Sequence, residues 1–269
     1  MKKNKYIIKP DIKDISLLEK VHGLDHEGNS VSAMVIQERP LTVFLNSQEI
    51  VTLMTINDFP EYLAIGYLLN QNMIYPKEKI IKIDYNKDIE TIVIRTKRKT
   101  NYEKILKKKI TTSGCAQGTV FGDIYEKLQK TKIKSNTKIK KKWIYELSKK
   151  ITLTPSLYLE AGAIHGCVLC EKNYPLIYME DVGRHNAIDK IAGYMSKHNI
   201  TASNKIFYTT GRLTSEMVIK TVKMGIPILI SRSGFTAWGV ELAKKTNLTL
   251  IGRAKGKRFL VLSGQNRII

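Results

Sequence analysis

Residues 180–190 read Glu-Asp-Val-Gly-Arg-His-Asn-Ala-Ile-Asp-Lys. They bring three carboxylates (Glu180, Asp181, Asp189), two fixed cations (Arg184, Lys190) and an imidazole (His185) into one short run. Carboxylates and imidazole exchange protons, and guanidinium groups hold anions by paired hydrogen bonds. The run lies between a strand-like apolar stretch, 176–179, and a helical pattern, Ile188, Ile191, Ala192 and Met195. Gly183 permits a turn there, and Arg184 and His185 open the helix, where free N–H groups favour anions. The same residue types also suit a solvated helix start with a capping aspartate. Residue types alone leave both readings open.

Cysteine supplies a second kind of chemistry. Thr111-Thr112-Ser113-Gly114-Cys115-Ala116-Gln117-Gly118 reads as a polar, glycine-punctuated loop, followed by a helical stretch over 119–130. A cysteine ahead of a helix N-terminus, with Lys107, Lys108 and Lys109 upstream, is biased toward the thiolate that accepts or donates sulfur. A small buried cysteine at a loop–helix junction would look the same. His165-Gly166-Cys167-Val168-Leu169-Cys170 holds a Cys-x-x-Cys, the spacing of a zinc or redox pair. A structural zinc site wants a second ligand pair, and Cys115 is the only other cysteine. A deaminase zinc site wants His-x-Glu, and position 167 is Cys. Core packing is therefore the main expectation for Cys167 and Cys170, an auxiliary thiol pair the alternative, and no structural metal is expected.

Two further turns follow strand-like runs. Thr209-Thr210-Gly211-Arg212 leads into a helix with Thr214, Ser215 and Glu216 in its first turn. Gly252 precedes Arg253-Ala254-Lys255-Gly256-Lys257-Arg258 between the last two strands. Glycines admit close backbone approach, N–H groups donate to phosphate, and Glu216 or Asp181 could accept from a guanine amino edge. Ligands of open α/β sheets bind at strand C-terminal ends, where these turns fall.

Periodicity supplies the scaffold that carries these groups. Short β runs occupy 41–45, 50–54, 80–85 and 91–95, with a helix over 60–73. Ile139, Trp143 and Leu147 recur every four residues, so 138–150 is an amphipathic helix with a basic outer face. Beyond about residue 155, strand 176–179 leads to helix 184–198, and 205–209 leads to helix 213–224. Strand 226–231 leads to helix 236–246, and 248–252 and 258–262 close the chain. Such alternation indicates a layered α/β domain on a largely parallel sheet. The expected organisation is a poorly structured segment, 1–35, and a smaller α+β domain, 36–110. A carrier-cysteine loop with a basic helical region, 111–150, and an α/β cofactor-binding domain, 151–269, complete it.

Of 269 residues, 43% are hydrophobic, enough for a substantial core. No apolar run approaches the roughly 18–20 residues that span a bilayer. The basic start, Met1-Lys2-Lys3-Asn4-Lys5, lacks a signal-peptide core before Lys9-Pro10. Three cysteines fit a reducing compartment, so a cytoplasmic protein is expected. Net charge is +21, and residues 95–150 carry 18 basic against 4 acidic residues. Such a field attracts nucleic acid, a phosphate-rich cofactor or an acidic protein surface. It could equally reflect composition alone. The absence of an RNP, zinc-finger or helix-turn-helix signature argues against nucleic acid.

The string Asp181-Val182-Gly183-Arg184-His185-Asn186-Ala187-Ile188-Asp189-Lys190 resembles a segment of the FdhD/NarQ family of formate dehydrogenase accessory sulfurtransferases. So do Glu38-Arg39-Pro40-Leu41 with Val43-Phe44-Leu45-Asn46, and Ala64-Ile65-Gly66-Tyr67-Leu68-Leu69. Thr210-Gly211-Arg212-Leu213-Thr214-Ser215-Glu216 and Gly225-Ile226-Pro227 continue in the same order. The resemblance implies a C-terminal cytidine-deaminase-like three-layer α/β/α domain, with a smaller N-terminal α+β domain. It implies a sulfurtransferase in which Cys115 takes persulfide sulfur from a cysteine desulfurase. The acceptor would be the molybdenum cofactor, as bis(molybdopterin guanine dinucleotide), on its way to formate dehydrogenase. The cofactor would lie at Arg253, Ala254, Lys255, Gly256, Lys257 and Arg258, with Gly183, Arg184, His185, Gly211, Arg212 and Glu216 as further contacts. A homodimer is implied as well. The family loop usually reads Cys-x-x-Cys, whereas Gly118 stands at the second position here. That departure removes a neighbouring thiol that could resolve the persulfide, and makes a non-catalytic cofactor-binding chaperone the alternative. His165, in Gly162-Ala163-Ile164-His165, matches a family segment that ends in histidine, and proton transfer near the sulfur and a structural hydrogen bond are equally open readings of it.

Overall fold

Two strands, paired in one ladder, open the chain where the sequence shows no apolar periodicity. The structure, a computed structural model, describes residues 6–98, 109–112, 115–120, 128 and 131–269, with 109–112 and 115–120 described by their backbone. Strands β1 (Leu18–Leu24) and β2 (Ser30–Ile36) form an antiparallel hairpin. The segment expected to lack regular structure thus contains strands. Its pattern hides them because neither face is buried over most of the ribbon. The turn closes on Asp25, whose Oδ1 accepts from Glu27 N and Asn29 N, both at 2.9 Å.

The smaller sheet follows clean alternation. In β3 (Arg39–Leu45), Leu41, Val43 and Leu45 are fully buried and their neighbours are not. With β4 (Gln48–Thr55), β5 (Ile80–Asn86) and β6 (Thr91–Thr96) it forms a four-stranded sheet in the order β4-β3-β6-β5. Helix α1 (Pro60–Asn70) covers it with Leu63, Ala64, Tyr67 and Leu68. Pro60 suits the first turn, and left-handed Asn72 (φ 57°) stops the helix three residues before the expected end.

Strands β7 (Lys109–Thr112) and β8 (Cys115–Val120) pair antiparallel, with Thr112 opposite Cys115. Cys115 therefore opens a strand, and the expected loop leading into a helix at 119 is overturned at that point. The dipole argument for its thiolate goes with it. The remainder of the expected helix, 121–127 with 129 and 130, lies outside the described residues, as do Lys107, Lys108, Ser113 and Gly114.

Helix α2 (Lys141–Thr152) begins later than its periodicity predicts, because Ile139 bridges to Ile268 in extended form instead. A short helix α3 (Leu157–Ala161) precedes β9 (His165–Glu171) and β10 (Tyr174–Asp181). Then come α4 (Arg184–Lys197), β11 (Lys205–Thr209), α5 (Ser215–Lys223), β12 (Ile228–Ser231) and α6 (Ala237–Lys245). Strands β13 (Thr249–Lys255) and β14 (Arg258–Ser263) complete a six-stranded sheet, order β10-β9-β11-β12-β13-β14. Only β11, β12 and β13 run parallel. The sheet is mixed rather than largely parallel, since tight turns join β9 to β10 and β13 to β14 and such turns impose antiparallel pairing. Helices α4, α5 and α6 cover one face over Phe207, Leu229 and Leu250. Helix α2 covers the other over Tyr208, Ile230 and Ile251. This is the three-layer arrangement that the resemblance implied.

Helices α1 and α4 weld the two sheets together at an unusually close crossing. A Cβ on Gly66 would stand 1.7 Å from Asp189 O, and one on Gly193 1.9 Å from Tyr62 O. Only glycine fits at either position. Among the described residues no helix is long and apolar enough to cross a membrane.

Candidate functional site

The run 180–190 divides into a buried half and a rim. Lys190 is fully buried, and its ammonium binds Asp58, Asp181 Oδ2 at 2.5 Å and Glu180 O at 2.9 Å. Asp181 Oδ2 also accepts from Thr55 Oγ1 at 2.5 Å. Its Oδ1 accepts from Asn186 Nδ2 at 3.0 Å and Gly183 N at 3.2 Å. Asn186 Nδ2 reaches on to Met54 O at 2.7 Å. Asp189 takes Asn70 Nδ2 at 2.6 Å and Lys220 Nζ at 2.7 Å. Thr55, Asp58 and Asn70 belong to β4, the β4–α1 corner and α1, so these polar groups join the small sheet to the large one. Burial alone would pull the Lys190 ammonium down, but Asp181 and Asp58 outweigh it and hold the pKa above the ordinary lysine range. With Asp181 saturated by these four donors, a guanine edge finds no acceptor there.

Arg184 and His185 face the other way, at the first turn of α4, each 7% exposed. Gly211 makes room for Arg184, since a Cβ there would stand 2.8 Å from Arg184 Cδ. His185 Nε2 lies 3.1 Å from Glu216 Oε2. Burial first, then Lys220 and Arg184, drive the His185 pKa down to about 2, so the imidazole is neutral and the contact is not an ion pair. Glu216 is 6% exposed, behind the rim rather than on it. His165, at the start of β9 and paired with Asp181, is also held below the ordinary histidine range, by burial and then by Arg184 and Arg212.

Backbone bonds stitch the turns along one edge of the sheet. Thr210 N donates to Gly166 O at 2.9 Å, Arg232 N to Thr209 O at 3.3 Å, and Arg253 N to Ser233 O at 3.0 Å. The edge therefore carries Arg184, Arg212, Arg232 and Arg253 after β10, β11 and β12 and within β13. The guanidinium groups of Arg232 and Arg253 lie over Tyr158 and Phe235, at 5.6 and 5.5 Å from the ring centroids. Of the last turn, Ala254 is core, its carbonyl accepting from Ser148 Oγ, while Lys255, Gly256, Lys257 and Arg258 project into solvent beyond the edge. Arg232 was missed by sequence reasoning, although an arginine one to three residues past a strand recurs at 184, 212 and 232. Beside Arg232, a pocket of about 140 Å³ opens among Tyr158, Tyr178, Tyr208 and Thr210. A larger cavity, about 570 Å³, lies by the last turns of α1, α4 and α5. It is at the far end of α4 from the arginines, roughly 20 Å away along the helix axis, and its cations are Lys77 and Lys223 rather than arginines.

Arginines at strand ends, beside two imidazoles kept neutral chiefly by burial, suit a polyanion such as a diphosphate.

Cys167 and Cys170 are not a pair. Three residues apart on β9, they point to opposite faces, Cys167 toward α4 and Cys170 toward α2. Both are fully buried. Burial pushes the Cys167 thiol up to about 12, against a weak pull from Thr209, and pushes Cys170 well above the ordinary thiol range. Neither can join the other at a metal or in a dithiol exchange.

Residues 36–269 match the FdhD/NarQ family. The protein named sulfur carrier protein FdhD in Bacillus pumilus is 30% identical over 87% of this chain and 90% of its own length. Its namesake in Bacillus licheniformis is 31% identical over 86% and 88%. A crystal structure of a proposed formate dehydrogenase accessory protein from Desulfotalea psychrophila superposes with a TM-score of 0.75. It shares 26% identity, covering 94% of this chain and 98% of that one. With most of its length matched and the fold shared, the chain belongs to the FdhD/NarQ family.

Proposed function

We propose that this protein is a cytoplasmic sulfur carrier serving formate dehydrogenase. Cys115 takes sulfane sulfur from a cysteine desulfurase and passes it to the molybdenum cofactor, in its bis(molybdopterin guanine dinucleotide) form. The observation that carries this reading is the burial of the other two cysteines. With Cys167 and Cys170 walled into opposite cores as neutral thiols, Cys115 is the thiol left for sulfur chemistry in a family whose relatives are named sulfur carriers. In the loading step the Cys115 thiolate attacks the terminal sulfur of the donor persulfide. The new S–S bond forms at Cys115, the donor's S–S bond breaks, and the donor cysteine leaves as thiolate. No net oxidation occurs, so one thiol suffices and Gly118 need not be cysteine.

The cofactor is the acceptor substrate, and the arginine edge fits its diphosphates. Arg212 and Arg253 are exposed there, and Arg184 and Arg232 lie beside them. Lys255, Lys257 and Arg258 extend the same charge outward. His165 and His185, held neutral, can accept a proton when an anion arrives. Arg212→Ala is expected to weaken GDP binding about 10- to 100-fold, the weight of a charge-assisted hydrogen bond, as titration calorimetry would read.

The deciding experiment is intact-mass spectrometry after incubation with a cysteine desulfurase and cysteine. Wild type should gain one sulfur, and Cys115→Ala should gain none. No gain in wild type would leave a cofactor-binding chaperone as the function. A gain that survives the substitution would move the chemistry to another cysteine. Steep salt-dependent binding to nucleic acid, with neither loading nor GDP binding, would overturn both.

A further inference from the structure

The small pocket beside Arg232 lies on the α2 face of the large sheet. Its floor is Tyr208, Tyr178 and Ile151, all buried in the core of that face. Arg184 and His185 lie across the sheet, at the start of a helix on the opposite face. Tyr158 and Leu159 of α3 form the mouth, 41% and 56% exposed. Arg232 lines one side, its guanidinium over the Tyr158 ring. Arg253 packs instead on Phe235, against the core of the opposite face. Arg232 is thus turned to a pocket that the neighbouring arginine does not share.

Its donors have nothing to answer them. Tyr208 is 1% exposed, and its hydroxyl has no hydrogen-bond partner among the described residues. Ser148, the neighbouring hydroxyl, gives its proton to Ala254 O. Burial holds the Tyr208 pKa above the ordinary tyrosine value, so the group keeps its own proton. Thr210 Oγ1 accepts from Gly166 N at 2.9 Å and has a proton left to give. The Tyr178 hydroxyl, by contrast, is spent on Glu180 Oε1 at 3.3 Å. A buried donor left unmatched is costly and rare in folded proteins, and hydroxyl donors around a guanidinium match the oxygens of an anion. The volume of about 140 Å³ is the room of four or five waters at about 30 Å³ each. That suits five heavy atoms or fewer, and falls below the roughly 300 Å³ at which sites for larger ligands begin. We infer that this pocket is a subsite for one small oxyanion, phosphate or a short carboxylate, held by Arg232, Tyr208 and Thr210. Bound there, the anion ties α3 to the ends of β11 and β12. It involves neither Cys115 nor the cofactor, and so stands apart from the sulfur-carrier reading.

The test is the unfolding temperature of the full chain against inorganic phosphate, with formate and acetate in parallel, at one ionic strength held by chloride. A ligand that binds only the folded state raises that temperature once its concentration passes Kd. A chain of net +21 also takes up anions diffusely, so the comparison is with Tyr208→Phe. That variant keeps the ring and loses only an unpartnered hydroxyl, which leaves the fold intact. Wild type should bind phosphate or a carboxylate about 10-fold more tightly, or better, than Tyr208→Phe and Arg232→Gln do. Which ions act tells phosphate from carboxylate. GDP should bind wild type and Tyr208→Phe alike. Equal shifts in wild type and Tyr208→Phe would mean ions on the lysine surface only, and no shift at all would mean waters only. A loss of GDP binding in Tyr208→Phe as large as its loss of phosphate would make the pocket part of the cofactor edge. Any of these three results overturns the inference.

Discussion

Lys190→Met is expected to lower the unfolding free energy by about 3–5 kcal/mol, the weight of a buried ion pair broken on one side. Methionine fills similar space, so the loss is electrostatic. Asp181 has no exposed surface and Asp58 little. Without the ammonium both carboxylates stay in the interface between the sheets, helped only by Thr55, Asn186 and Gly183. The deficit should shrink at low pH. A buried carboxylate stripped of its counter-ion takes up a proton more readily than it does in the unfolded chain. Its penalty is therefore absent at low pH and grows as pH rises. Urea unfolding at pH 5 and pH 8 reads this directly. Adding Asp181→Asn to Lys190→Met should recover part of the loss, because the uncompensated charge goes and the amide can still accept from Thr55. Equal losses at both pH values, or a double variant worse than the single, would mean that the lysine acts through packing.

That outcome bears on what the sequence conveyed. The string 181–190 advertised chemistry, and its family resemblance was legible at once. Which of its residues are chemical was not. Asp181, Asp189 and Lys190 read as site residues because their partners, Thr55, Asp58 and Asn70, lie more than a hundred positions away. No local pattern announces a buried pair made across two sheets. Strands with one buried face, such as β3, and helices with a regular stripe, such as α2, were visible within a few residues. Those that failed the periodicity test were invisible for a physical reason. The β1–β2 ribbon buries little of either face, and β9 is buried on both faces over residues 166–170, so neither alternates. The cysteines of β9 are core residues, as mainly expected, and the pleat that sends them to opposite cores removes the alternative of a thiol pair. At the rim the sequence did better. Glycine and arginine after a strand mark 183–184 and 211–212 alike. Arg232 escaped because serines flank it where the other two turns carry glycine, although its place just past a strand end is the same.

The second large effect is expected from Glu180, and it runs against the usual acid-side behaviour of carboxylates. Glu180 is 1% exposed, and burial pushes its pKa from 4.5 up to about 7. Leu157 N, Tyr158 N and the Tyr178 hydroxyl offset only part of that push. The folded state therefore holds a proton that the unfolded chain has released. Stability from this group is fully present below about pH 4.5 and is lost as pH rises through about 7. The loss amounts to about 3 kcal/mol. Glu180→Gln keeps an acceptor for Leu157 N and cannot ionise, so it should match wild type near pH 4.5 and exceed it by up to about 3 kcal/mol at pH 8. The difference between the two urea curves across pH isolates this one group from every other titration. A constant difference would show that Glu180 is ionised throughout in the folded chain. The site feels the same proton, because Leu157 and Tyr158 begin α3 and Tyr158 lies under the Arg232 guanidinium. Ionising Glu180 strengthens its hold on those two N–H groups while straining the apolar shell around it. In wild type the mobility of α3, read by amide exchange at Leu157 and Tyr158, should change across pH 6–8, and in Glu180→Gln it should not.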